Sequence, residues 1–217
     1  MFQAHYEEIT RFAAEGEFAN ELQTAKLEYI ARTGEMFETD PSFERRIAAF
    51  LEWYVLDRPI SKQPQVTPAE VFCGTVALSR EIIDQRRFRS LTCTRLSLFE
   101  FQRVRGDSMQ VIDLISDEKL DVFERRTVAG LDKGDLIEGR LVPFDGQLYM
   151  SEVYYCHPRL VRGAIQKAVK RLRRDDADRA ARIDIVHRVA YFANRSERYK
   201  HVHPKKIFAE LMANKAA

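Results

Sequence analysis

Between Leu96 and Cys156 the chain leaves helical spacing and falls into five short runs of strand character, separated by clusters of Gly, Asp, Ser and Pro. Phe99, Phe101 and Val104 mark the first run and Met109 to Ile115 the second. Leu120 to Phe123, Leu136 to Val142 and Gln147 to Tyr155 follow. Turns are expected at Arg105-Gly106-Asp107, at Ser116 to Lys119, in the stretch LDKGD and at Pro143 to Gly146, which fits antiparallel hairpins. A meander of this length leaves exposed edges unless it closes, so a small antiparallel β-barrel of about five strands is the expected solution.

Helical spacing returns on both sides of this region. Before it, Ile9, Phe12, Leu22 and Ile30 suggest one long or two short helices with Gly16 as the break. In DPSFERRIAAFLEWYVLDRP, Asp40 is expected to cap a helix with Pro41 at its first position, and Phe43, Ile47, Phe50, Leu51 and Tyr54 share one face. Thr67, Pro68 and Glu70 form a capping box for a helix interrupted near Gly74. After His157-Pro158, a stripe of Leu160, Ala164, Ile165, Ala168, Val169 and Leu172 predicts a helix. A second over 177–195 is expected to bury Ala180, Ile183, Val186 and Val189, and a third from Pro204 to bury Ile207, Phe208 and Leu211. The fold class is therefore α+β, with an N-terminal helical region at 1–92, the barrel at 93–156 and a basic C-terminal helical region at 157–217.

With 45% hydrophobic and 31% charged residues, the chain is too apolar for disorder. Its start is acidic and helical in period, unlike a signal peptide, and no window approaches the run of about 18 apolar residues that spans a membrane. Three widely spaced cysteines make neither a disulfide framework nor a zinc site, so a cytoplasmic location without a membrane partner is expected.

The formal charge of +2 conceals an asymmetry: residues 1–156 carry 19 Lys and Arg against 27 Asp and Glu, whereas 157–217 carry 16 against 6. Such a dipole either steers an anionic partner to one end or holds the two parts together. Arg162, Lys167, Lys170, Arg171 and Arg174 are the candidate nucleic-acid-binding residues, since the last four can share one side of a helix. That reading needs the face to be exposed and not paired with Glu7, Glu8, Glu15 and Glu17.

Other motifs read more plainly as structure. Gly134 supplies an unusual φ, Asp135 bonds local backbone, and Glu138 and Arg140 form the solvent-facing half of a strand. His201 and His203 lie in a loop before the last helix, and the neighbours Cys156 and His157 rarely face one another as nucleophile and base. His187 stands among buried positions of its helix. Trp53 and Asp57, four apart on a helix, are a candidate pocket; the alternative packs Trp53 on the barrel and bonds Asp57 to Arg58 or a loop.

The series FLEWYVLDRP, TPAE, LFEFQRV, VIDLIS, DVFERR and KGDLIEGRLV resembles a bacterial family in which a helical segment precedes a small β-barrel. Members often carry a short cysteine-rich zinc motif like that at the end of the SecA translocase, which this chain lacks. The resemblance implies the architecture and leaves the function open. No converging acid, base and nucleophile is visible, so no catalytic residue, metal or cofactor is expected. The expected function is a non-enzymatic binding protein whose C-terminal helices hold nucleic acid or another anionic partner through phosphate contacts. The alternative is a protein–protein adaptor using the barrel and the aromatic helix face, with the basic helices docked on the acidic part.

Overall fold

The computed structural model of the chain describes residues 2–123, 130–173 and 178–213. Helix α1 (Gln3–Ala14) and helix α2 (Ala19–Thr33) are separate, because Gly16 at φ 59° starts a tight turn between them. Helix α3 (Phe43–Leu56) begins later than expected, with Ser42 at the cap position. Asp40 instead accepts the Phe37 N–H and a bond from Arg198, which fixes the turn before the helix. Helix α4 (Pro68–Gly74) opens on the expected capping box: Thr67 Oγ1 accepts from Glu70 N, and the Glu70 carboxylate accepts from Thr67 N at 2.7 Å. Helix α5 (Ile82–Leu91) follows a short turn.

Strands β1 (Arg95–Arg105), β2 (Ser108–Asp113), β3 (Lys119–Phe123), β4 (Leu136–Phe144) and β5 (Gln147–Cys156) close into a barrel in the order β1-β2-β3-β5-β4. Its seam corrects the expectation of a wholly antiparallel barrel. Strand β4 returns to pair with β1, so β5 is left to close against β3, and the two run parallel with Phe123 opposite Tyr149. Phe99, Phe101, Met109, Val111, Val122, Ile137, Leu141 and Met150 fill the interior. The pairing of β4 with β5 shifts register between Gly139 and Leu141, where a β-carbon on Gly139 would lie 3.0 Å from Met150 Sδ.

Helices α6 (Arg162–Leu172), α7 (Arg179–Arg198) and α8 (Pro204–Ala213) cover one outer face of the barrel. Leu98 of β1 and Leu136 of β4 share their core with Ile165, Val169, Val189, Phe192 and Phe208. On the other side Val142 and Phe144 join Trp53, Phe72, Phe88 and the N-terminal helices, and Ile183 of α7 belongs to this second core. The apolar cores thus cross the boundaries between the three regions. Two stripe positions differ from expectation: Leu160, in the tight turn before α6, and Ala180, in the first turn of α7, are both exposed. Each element is amphipathic by itself, but helices from both ends of the chain bury the barrel's outer surface.

Candidate functional site

Helix α6 buries Ile165, Ala168 and Val169 against the barrel and turns Lys167, Lys170 and Arg171 outward, where all three are exposed. Arg174 lies outside the described residues. Arg162 is half-buried above Gly134 and stands 3.9 Å from Glu100. Among the described residues no ion pair joins α6 to Glu7, Glu8, Glu15 or Glu17; Glu8 is held by Arg80.

Many arginines of the basic segment serve another purpose. Arg159 bridges Asp132 at 2.6 Å and Asp135 at 2.7 Å, holding the Asp135 carboxyl below its usual range. Arg173 meets Asp117 at 2.5 Å, Arg182 meets Asp113 at 2.7 Å, Arg179 approaches Asp57 at 3.8 Å and Arg198 meets Asp40 at 2.9 Å. Asp113 is fully buried and also accepts from Ser97 Oγ at 2.6 Å and Ile115 N at 2.9 Å. A guanidinium fork suits such fixed pairing, while the ammonium groups of Lys167 and Lys170 stay in solvent.

Trp53 and Asp57 line one groove, about 500 Å³ in volume, together with Arg32, Pro59, Arg179 and Ile183. Their side-chain contacts differ from those of the alternative reading. Trp53 packs on Tyr29 and His187, with ring centroids 5.5 and 5.4 Å away, and Asp57 bonds Arg140 rather than Arg58. Arg58 is taken up by Glu21 and Glu28 across the groove's edge.

Arg140 is the main correction to the sequence reading. Far from facing solvent, it is 1% exposed, because α3 lies over that part of β4. Its guanidinium bonds Glu52 at 3.1 Å, Thr94 Oγ1 at 2.8 Å and both oxygens of Asp57. Burial works against its charge, but Asp57 and Glu52 outweigh burial and raise its pKa. Burial raises the pKa of Glu52 against the pull of Arg140 and of the Ser151 hydroxyl, which donates to it. Ser151 sits at the register shift of β5, which aims its side chain at α3. Glu138 is also half-buried and faces His157, 3.1 Å away. The overlooked signal was Glu52 itself, one acid inside the apolar run FLEWYVL, a position that asks for a buried counter-charge.

The remaining candidates stay apart. Cys156 is exposed at the end of β5, and burial of its surroundings pushes the thiol up, away from thiolate chemistry. His203 Nδ1 accepts the Lys205 N–H at the start of α8, and His187 is buried. Among the described residues no three His, Cys, Asp or Glu side chains are grouped to hold a metal, and no helix is long and apolar enough to cross a membrane.

No curated protein and no solved structure matches the chain. A family match does exist, and it extends over residues 17–198, spanning the N-terminal helices from α2 onward, the barrel and helices α6 and α7. Because that match covers most of the chain, the protein belongs to DUF7986, a family of unknown function.

Proposed function

We propose that the protein is a non-enzymatic binding protein whose α6 face holds nucleic acid through its phosphates. The observation that carries this reading is the sorting of cations on the C-terminal layer. Arg159, Arg162, Arg173 and Arg182 face carboxylates of the barrel, which fixes α6 in place, while the Lys167 and Lys170 side chains remain exposed on its outer side. A rigidly mounted row of cations pays little ordering entropy when it meets a phosphate backbone. Five-stranded closed barrels with one parallel seam also serve as oligonucleotide- and oligosaccharide-binding scaffolds, a support by analogy of fold.

The test is fluorescence anisotropy with single- and double-stranded DNA and RNA at two salt concentrations, beside a variant with Lys167, Lys170, Arg171 and Arg174 changed to Gln. Neutralising about four phosphates gives a log–log salt slope near −3.6, which the variant loses. Absence of binding at low salt ends the proposal.

One observation favours the adaptor reading instead. Leu78, Ile82 and Ile83 are large apolar side chains left exposed close together in sequence at the start of α5, a feature typical of a protein-contact surface. If nucleic acid fails to bind, a pull-down comparing the wild type with an Ile82→Lys variant is the deciding experiment. Partners captured by both proteins alike would remove this surface from consideration.

A further inference from the structure

We propose that a cavity between α2, α3, β4, β5 and α7 is a binding site for a small oxyanion, held by Arg46 and His187. The cavity measures about 60 Å³ and is lined in part by Arg46, Glu52, Glu138, Arg140, His187 and Asn194. One water fills roughly 10–15 Å³ on this measure, so the space suits an ion of a few heavy atoms and no larger ligand.

Two of its lining side chains carry polar atoms without a protein partner. Arg46 is 5% exposed; its Nη atoms donate to the carbonyls of Thr33, Gly34 and Glu35 at the end of α2, while its Nε has no partner. His187 is 4% exposed, and its Nδ1 likewise has none. Buried polar groups are nearly always satisfied, so two unsatisfied ones on a single cavity mark a place built for something else to bind.

Their chemistry selects the ligand. Arg46 Nε–H can only donate, and its positive charge favours an anionic acceptor. Among the described residues, the ion pair of Arg46 is with Asp40, 3.5 Å from Nη1. Arg140 is already matched by Glu52 and Asp57, so it adds no demand for an anion. Burial keeps the His187 ring neutral, and in its Nδ1–H form the ring donates a second bond to the same ligand. Asn194 spends its amide on the Thr33 carbonyl and holds the α2 end against α7. Arg45, Glu52 and Val153 form a shared wall with an open groove of about 470 Å³ between α1, α3 and β5. Arg45 is partly exposed.

The experiment is thermal unfolding of the full chain at neutral pH in sodium acetate, sodium phosphate or sodium chloride at matched ionic strength, for the wild type and His187→Phe. A second readout follows the ¹⁵N-labelled imidazole signals of the wild type by NMR. The expected result is a saturable rise in Tm with acetate or phosphate over chloride, a shift of the His187 ring nitrogens with the same midpoint, and loss of the rise in His187→Phe. Whether acetate or phosphate acts tells a carboxylate ligand from a phosphate one. Identical Tm in the three salts with unmoved His187 signals overturns the proposal. So does a rise that persists in His187→Phe but disappears when Lys167 and Lys170 are changed to Gln, since it then belongs to α6. The NMR titration stands even if the phenylalanine variant does not fold.

Discussion

Arg140 in the middle of β4 and Asp57 at the end of α3, 83 positions apart, form a buried ion pair, with Arg140 Nη1 3.2 Å from Asp57 Oδ1. Removing the cation alone strands two carboxylates, Glu52 and Asp57, in the interior. Arg140→Met is expected to cost about 3–5 kcal/mol in urea unfolding. The triple change Arg140→Met, Glu52→Gln, Asp57→Asn should recover much of that loss, because neutral groups carry a far smaller desolvation cost. A single variant as stable as the wild type would show that this cluster is not ionic.

Gly134 has φ +90°, and a β-carbon there would lie 2.1 Å from Arg162 Nη1. The guanidinium can swing aside, whereas the backbone cannot leave its left-handed conformation. Gly134→Ala is therefore expected to cost about 1–2 kcal/mol. Most of that cost should persist in an Arg162→Ala background, and full rescue there would assign the cost to the clash instead.

Burial, with Arg32 and Arg140 nearby, pushes the His187 pKa down from 6.5 to about 3. The unfolded chain then takes up a proton that the folded chain refuses. The contribution of the neutral ring is complete above pH 6.5 and is lost as pH falls through 6.5 toward 3, at about 1.4 kcal/mol per pH unit. The difference in stability between wild type and His187→Phe, measured by urea unfolding from pH 7 to pH 4.5, should follow that slope. A flat difference would mean that the ring is solvated.

Thr67 and Glu70 exchange the two bonds of the capping box at the start of α4. Thr67→Ala should cost about 1 kcal/mol, and Thr67→Ser should cost much less because the hydroxyl is kept. Urea midpoints for the two variants distinguish loss of the cap from loss of the buried methyl group.

The sequence by itself determined the features that depend on neighbours along the chain. The capping box at Thr67, the break at Gly16, the positive φ of Gly134, the hairpin at Gly106 and the five strands are all local, set by backbone sterics and by bonds spanning three or four residues. What lies against each face was decided only by the tertiary structure. A two-residue period separates the faces of β4 but does not say what covers the outer one, so Arg140 and Glu138 read as solvent-facing. With α3 packed over that face, Arg140 became the centre of a buried ion cluster, and with β4 returned beside β1, the seam of the barrel became parallel. The same limit held for the basic segment and the Trp53 groove. Composition supplied the excess of positive charge, but only packing placed arginines on the carboxylates of the barrel and left Lys167 and Lys170 in water, because pairing depends on distances in space that chain order does not carry.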